Sequence, residues 1–456
     1  MAELTSKAIP VRFWWLKRLA AAFVLWAAAM AGVWFGWHHY AAWKLERTVA
    51  AYVAEGRMID PATPFGRTVP EELNAVVPLE RALGRLNQYP GMESTWYDTP
   101  RGTLPLSSSE VEKIKPLQAW VRENWPDLHE SQGREQIDFG RPFGDSARPF
   151  DPTIRFIRIL CERLSYAALL EAHEGRFAAG VETALAAERF SRRVARIEPG
   201  SYSFFLSSFL NTPVLQRLME VAAYRLYEAE PVPLTAQERA WFEQAVAQLG
   251  EGPMVTPQEV AAGTRTAMLT DIRLNRRWFR VYAMPQVQAA LDLETVRLLR
   301  WHVGLDGAPT PAPGAAVGRA RGFVNMAARP LPLAHAYDYV ERPYVEQNEA
   351  TRAVVRTAIA VGLYRNNHGR WPADLPALVP AYLPAVPQDP FDARRPLKYT
   401  LPPGGVPVIY SVGPGEVDTG GPATSTLFER QFGGNLGLVL HLTARQANTE
   451  TNTTDR

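Results

Sequence analysis

The chain has 456 residues, 46% of them hydrophobic and 21% charged, which suits about two to three domains with substantial buried cores. Its net charge of +2 arises from 49 basic and 47 acidic residues, a balance that does not fit a nucleic-acid binder. The single cysteine, Cys161, excludes an intramolecular disulfide framework and a thiolate zinc cluster. On an apolar helical face it reads as a small core residue.

Taken in chain order, residues 1–18 form a short N-terminal segment, and residues 19–40 form the first element. "LAAAFVLWAAAMAGVWFGWHHY" contains no Asp, Glu, Lys or Arg. At about 1.5 Å per residue it reaches ~33 Å, enough to cross a bilayer core. Trp14 and Trp15 lie at one end, and Trp34, Trp37 and Trp43 at the other, as an aromatic belt requires. Arg12, Lys17 and Arg18 precede the span, so the positive-inside rule places the N-terminus in the cytoplasm and the bulk of the chain in the periplasm. A cleaved signal peptide is the competing reading, because Ala29-Met30-Ala31 offers a small-x-small site. The apolar run continues past that site into "GVWFGW", which favours a retained inner-membrane, single-pass anchor.

Residues 41–150 are expected to form a juxtamembrane stalk and a mixed region. Leu45, Val49, Tyr52 and Val53 share one helical face, and Gly56 suits the helix stop. "PEELNAVVPLERALGRL" reads as helix. "EVEKIKPLQAWVRENWPDL" reads as helix with breaks at Pro116 and Pro126. Residues 151–305 form a helical domain. Ile154, Ile157, Cys161, Leu164, Ala168 and Ala172 recur at three and four, and a glycine turn at Gly175 follows. Phe177, Gly180, Ala184, Ala187, Phe190, Val194 and Ile197 then repeat the pattern. Such a pair must pack antiparallel. Its spacing is similar to one tetratricopeptide-type hairpin, but no repeat of about 34 residues follows, and an ordinary helical bundle accounts for it as well.

Most of the 38 prolines lie in the second half of the chain. Residues 306–343, including "GAPTPAPGAAVGRARG", have the Pro/Ala/Gly bias of a linker. Residues 344–443 form a last unit, and residues 444–456 form a polar tail that need not fold. The unit opens with a helix from Val345 to Asn367, on which Ala350, Val354, Ala358, Val361 and Tyr364 share a face. Arg365 and His368 suit the helix C-terminus, and Gly369 suits the C′ position. "PADLPALVP" is one helical turn, "PQDPFD" is turn chemistry, and "PLKYT", "VPVIYSV" and "LGLVLHLT" are strand-like. The overall expectation is a mainly α chain, ending in a small α+β module with one helix on an antiparallel sheet.

The order "LYRNNHGRWP", "LPALVPAYL", "PQDPF", "LKY", "YSVG" and a Gly/Asp loop resembles the globular domain of type II secretion major pseudopilins. The layout as a whole is similar to large bacterial membrane-anchored proteins that carry this module at the C-terminus. The chain departs from the family in two ways. "KAIPVRFWWLKRLAAAF" offers neither a prepilin processing site nor an early glutamate, and the module begins at Tyr344, far from the span. Assembly into a pseudopilus through the N-terminal helix is therefore not expected. The resemblance also implies a calcium loop. Asp418 is kept there, but Gly415 stands where an earlier aspartate belongs, and Glu416 is the remaining nearby oxygen donor.

No catalytic, cofactor or metal residue can be assigned. His38 and His39 fit the membrane–water interface. His173 beside Glu174 lacks a second histidine at ligand spacing, and "SYSFFLSSFL" lacks a Gly-x-Ser-x-Gly elbow. Asp389 precedes Pro390 and reads as a turn residue, and Glu71-Glu72 reads as a solvated pair. The expected function is a non-enzymatic, membrane-anchored envelope protein that binds or scaffolds, beside secretion or pilus-like machinery. An envelope hydrolase or ligand-binding sensor, with its site in the helical middle domain, is the alternative.

Overall fold

The structure is a computed structural model that describes residues 14–56, 58, 69–85, 104–134, 152–197, 202–228 and 230–252. It further describes isolated positions from 259 to 299, then 333–392, 395–402, 406–413, 418, 420–421 and 436–439. The tail, most of the expected linker, Gly415, Glu416 and the side chains of the serine-rich stretch lie outside the described residues.

Helix α1 runs unbroken over Trp14–Ala54, 41 residues, and stops at Gly56, whose φ of 68° is open to glycine. It is long and apolar enough to cross a membrane. Its large apolar side chains are exposed from Trp15 to Trp43; elsewhere among the described residues only Leu73, Val232 and Leu401 are comparably bare. Burial then begins on the same helix. Leu45, Val49 and Tyr52 pack with Met58, Leu269, Val296 and Leu299, and Val53 lies against this cluster, as the face read from the sequence requires.

The remaining helices are α2 (Val76–Gly84), α3 (Ser108–Gly133), α4 (Pro152–His173), α5 (Phe177–Ile197), α6 (Tyr202–Leu226), α7 (Ala236–Leu249) and α8 (Leu333–His368). Capping boxes start two of them: Ser107 with Glu110 opens α3, and Thr235 with Glu238 opens α7. The expected breaks in α3 do not occur, since Pro116 and Pro126 lie inside a continuous helix. Each proline forfeits a backbone hydrogen bond. Burial of Ile114, Leu117, Trp120, Val121 and Leu128 against α2 and α4 outweighs that loss.

Helices α4, α5 and α6 pack on one another, α3 covers α4, and α8 lies on α6 and α7. The α4–α5 hairpin buries Cys161, Leu164, Ala168 and Ala172 against Phe177, Ala184, Ala187 and Phe190. Its turn uses Gly175 at φ 79°. A Cβ added at Gly180 would sit 2.9 Å from the Ala168 carbonyl oxygen, so this glycine sets how closely the two helices approach. Gly180→Ala gains about 1 kcal/mol of helix propensity. The contact reverses that sign, and a net loss of about 1–3 kcal/mol is expected. A raised thermal midpoint for this variant of the full chain would contradict the close approach.

The last unit differs from expectation at its start. Helix α8 begins at Leu333, inside the stretch read as linker, and Pro343 lies within it. Beyond it come a single 3₁₀ turn at Pro376–Leu378 and strands β1 (Lys398–Thr400), β2 (Val408–Ser411) and β3 (Leu436–Val439). The strands form an antiparallel meander in the order β1-β2-β3, with Tyr399 opposite Ile409 and Ile409 opposite Leu438. Val354, Ala358 and Val361 of α8 join the same continuous core as α4–α7, together with Leu378, Leu383, Leu397 and Ile409. The α8 helix is thus shared between the bundle and the sheet.

Candidate functional site

The segment Gly362–Pro372 is where the bundle, the end of α8 and the sheet meet. Gly362 lets α8 approach α6, since a Cβ there would lie 2.9 Å from Leu226 and 3.2 Å from Tyr227. Arg365 donates to the Leu226 and Glu228 carbonyls at 3.4 and 2.8 Å, supplying partners for the C-terminus of α6. Its guanidinium also lies 4.7 Å from the Trp371 ring centroid. Asn366 donates to the Val232 carbonyl at 2.8 Å, and Asn367 donates to Tyr382 Oη at 2.7 Å. The His368 ring packs 4.3 Å from Tyr364, and Tyr399 Oη donates to the Pro372 carbonyl at 2.8 Å. Tyr227 is fully buried, and its hydroxyl donates to the Ala358 carbonyl. These polar groups join α8 to the end of α6 and to the connection that follows it, and Tyr399 ties β1 to the same segment, so the segment works as a clamp.

A second polar centre lies deeper, where α5, α7 and α8 meet. Glu188 is fully buried, and its carboxylate accepts from Gln248 Nε2 at 2.6 Å, from Arg192 Nη2 at 3.2 Å and from Arg352. The arginines also serve the C-terminus of α7. Arg192 Nη2 donates to the Gln248 carbonyl at 2.6 Å, Arg352 Nη2 to Gln248 and Leu249 at 3.2 Å each, and Arg356 Nε to Val246 at 3.0 Å. Cations at a helix C-terminus meet both orphan carbonyls and the negative end of the macrodipole. Gly250, just past the helix, leaves room for the Arg356 guanidinium, 2.4 Å from where a Cβ would stand. The Glu188 carboxylate is buried and takes donors from three side chains, an arrangement suited to holding three helices.

In the distal unit, Asp389 is fully buried and accepts three hydrogen bonds. Phe391 N and Ser411 Oγ donate to Oδ1 at 3.0 and 2.7 Å, and Val412 N donates to Oδ2 at 2.8 Å. It is a turn residue, as its Pro neighbour suggests, and it also ties that turn to β2. Asp418 accepts from Tyr410 Oη at 3.0 Å and from Gly420 N at 2.9 Å. The Tyr410 hydroxyl is pushed up to about 12, by burial first and then by this carboxylate. Lys398 places its ammonium 2.8 Å from Asp392 and 4.0 Å from Asp418, so a side-chain cation already serves both carboxylates. Among the described residues no group of three or more His, Cys, Asp or Glu could hold a metal ion.

The other sequence candidates are scattered. Glu71 and Glu72 are exposed, and His38 and His39 lie on α1 where the apolar band ends. The Cys161 thiol is raised by burial, which makes it inert as a nucleophile. His173 serves the fold, since its Nδ1 accepts the Leu106 N–H at 3.2 Å and so fixes the entry to α3. Glu171 and Glu174 beside it are engaged by Arg122 and Arg176. Burial lowers the His173 pKa below its usual 6.5. Below that value the unfolded chain binds the proton more readily than the folded one, so stability is full above it and falls with pH. The unfolding midpoint of the full chain should drop as the pH falls through about 6.5 and below, and His173→Gln should flatten that slope. An unchanged slope in the variant would assign the acid sensitivity elsewhere.

Sequence reasoning missed the Glu188 centre, whose signal is a charged residue between Ala184, Ala187 and Ser191 on the apolar stripe of α5. It also missed an amide cluster between α6 and α8. Asn211 Nδ2 donates to Asn348 Oδ1 at 3.1 Å, while Asn211 Oδ1, Asn348 Nδ2 and both amide atoms of Gln347 are buried without a partner among the described residues. No family model, curated protein or solved structure matches this chain.

Proposed function

We propose that the chain is a non-enzymatic, single-pass envelope protein, anchored in the inner membrane by α1, with its N-terminus cytoplasmic and the bundle and sheet periplasmic. Its role is to bind or scaffold, beside secretion or pilus-like machinery. The observation that carries the anchor is the change along α1, from bare apolar side chains over Trp15–Trp43 to a face packed on Met58, Leu269, Val296 and Leu299 from Leu45 onward. The saturation of Glu188 and Asp389 by structural donors supports a binding role over catalysis. The secretion association rests on the pseudopilin resemblance of residues 344–443 and is a fold-level analogy.

Crosslinking in native membranes, followed by affinity purification and mass spectrometry, tests the scaffold reading. Reproducible recovery of secretion or pilus components supports it, and recovery of the chain alone sinks it. Topology has a separate check: alkaline phosphatase fused after Arg456 should be active, and an inactive fusion of a stable, membrane-bound chain would reverse the orientation.

A ligand-binding sensor is the second reading, favoured by the orphan amides. Gln347 is 1% exposed and has neither donor nor acceptor satisfied, which costs about 1–3 kcal/mol if nothing occupies the site. Gln347→Leu should therefore stabilise the full chain if the site is empty. Destabilisation would point to a bound water or polar ligand.

A further inference from the structure

The outer end of the apolar band carries a cation cluster that the anchor alone does not use. Lys44 Nζ lies 5.3 Å from the Tyr40 ring centroid and donates to Tyr40 Oη at 3.2 Å. The Arg47 guanidinium lies 5.2 Å from the Trp43 ring centroid. The two rings pack against each other at 6.1 Å, so the four side chains form one contiguous patch. Helical geometry places all four within an arc of about 100°, centred roughly 145° away from the face that Ala41, Leu45, Val49 and Tyr52 bury. The patch therefore faces away from the residues that cover the stem, Met58, Leu269, Val296 and Leu299. Tyr40, Trp43 and Arg47 are exposed, and Lys44 is half-buried.

Both cations lack a carboxylate partner among the described residues. Glu46 is on the same turn, about 100° around the helix from Arg47. Each cation instead folds back toward the helix N-terminus over the ring four residues before it, the direction that helical side chains favour. The charges are thus held toward the apolar band. Lys44 stands ~6 Å and Arg47 ~10 Å beyond Tyr40 along the axis. The headgroup layer of a bilayer extends about 5–8 Å past its hydrocarbon core on each side. With their side chains turned back, both cations lie at phosphate depth, and the rings fix them there before any lipid arrives.

We propose that Tyr40, Trp43, Lys44 and Arg47 form a binding site for the phosphate of an anionic phospholipid in the leaflet facing the bundle. The inference rests on the membrane-anchor reading of α1. The site selects phosphatidylglycerol-type headgroups over zwitterionic ones, because a choline or ethanolamine cation would meet two fixed positive charges.

The test uses the full chain. Vesicle flotation comes first: a folded chain that fails to float with vesicles of any composition removes the anchor reading, and the lipid site with it. For a chain that floats, native mass spectrometry titrates phosphatidylglycerol against phosphatidylcholine in detergent. The expected result is preferential retention of phosphatidylglycerol, reduced on the order of five-fold by Lys44→Gln or Arg47→Gln and about 30-fold by the pair. Lys44→Arg should keep the preference. Equal retention of the two lipids, or a preference unchanged in the double variant, overturns the site. Inorganic phosphate bound in place of lipid, with no lipid preference, overturns the lipid assignment as well.

Discussion

Glu188→Ala should destabilise the full chain by about 3–5 kcal/mol, a large share of the stability of an ordinary domain. The substitution removes one carboxylate but leaves Arg192 and Arg352, both buried, without their shared counter-charge. Gln248 Nε2 keeps its bond to the Leu185 carbonyl and loses its stronger one to Glu188. Glu188→Gln should cost less, about 1–3 kcal/mol, because an amide still accepts from the arginines while its NH2 opposes the Gln248 donor. Replacing Glu188, Arg192 and Arg352 together by methionine should recover only part of the loss. An isolated buried ion pair exchanged for apolar residues is often neutral. Here the arginines also satisfy the last carbonyls of α7, which methionine cannot do. Urea unfolding followed by circular dichroism in mild detergent measures all three. A cost below about 1 kcal/mol for Glu188→Ala would remove the carboxylate from the account of how α5, α7 and α8 are held.

Asp389→Ala should open the distal sheet and leave the bundle closed. Three donors depend on this one side chain: the amides of Phe391 and Val412, and the Ser411 hydroxyl. Hydrogen bonds to a charged acceptor contribute about 1.5–3 kcal/mol each, with losses that do not add fully. A local cost on the order of 3–5 kcal/mol is expected. Hydrogen exchange read by mass spectrometry should accelerate in peptides containing Phe391 and Val408–Gly413, while peptides from α4 and α5 keep their protection. Asp389→Asn should fall between, since its amide retains one acceptor but turns a donor toward Val412 N. Acceleration spread evenly over the whole chain would show that the aspartate supports more than its own turn.

Much of the helical layout was legible because apolar periodicity and burial coincide. The stem face of Leu45, Val49 and Tyr52, the α4–α5 hairpin about Gly175, and Ala350, Val354, Ala358 and Val361 on α8 are cases where sequence spacing alone picks the buried side. The start of α8 was hidden, because Pro343 and the Pro/Ala/Gly bias upstream resemble a linker and nothing local marks Leu333 as a helix start. Pro116 and Pro126 misled for a related reason: proline reports a lost backbone bond, whereas Trp120 and Leu128 report packing gained from partners remote in sequence. The functional residues were harder still. Glu188 and Arg352 lie far apart in the chain, and only the packing of both α5 and α8 on α7 makes them one centre. The "LYRNNHGRWP" pattern drew attention for its distinctiveness, but the carbonyls of Leu226, Glu228 and Val232 that its Arg365 and Asn366 satisfy carry no side-chain signature.

The sharing of α8 has a consequence for how the chain is made. Helices α5, α6 and α7 emerge from the ribosome well before the helix that seals them, since Leu249 precedes His368 by a long intervening stretch. At about 5–20 residues per second, the nascent bundle waits roughly 6–24 s for that closure. During the interval the surfaces of α6 and α7 that await Val354, Ala358 and Val361 lie open, and the α7 carbonyls lack two of their three arginines. A chain stalled before Leu333 should therefore be cleaved faster by a nonspecific protease than the full chain, and equal resistance would show that α4–α7 close without α8.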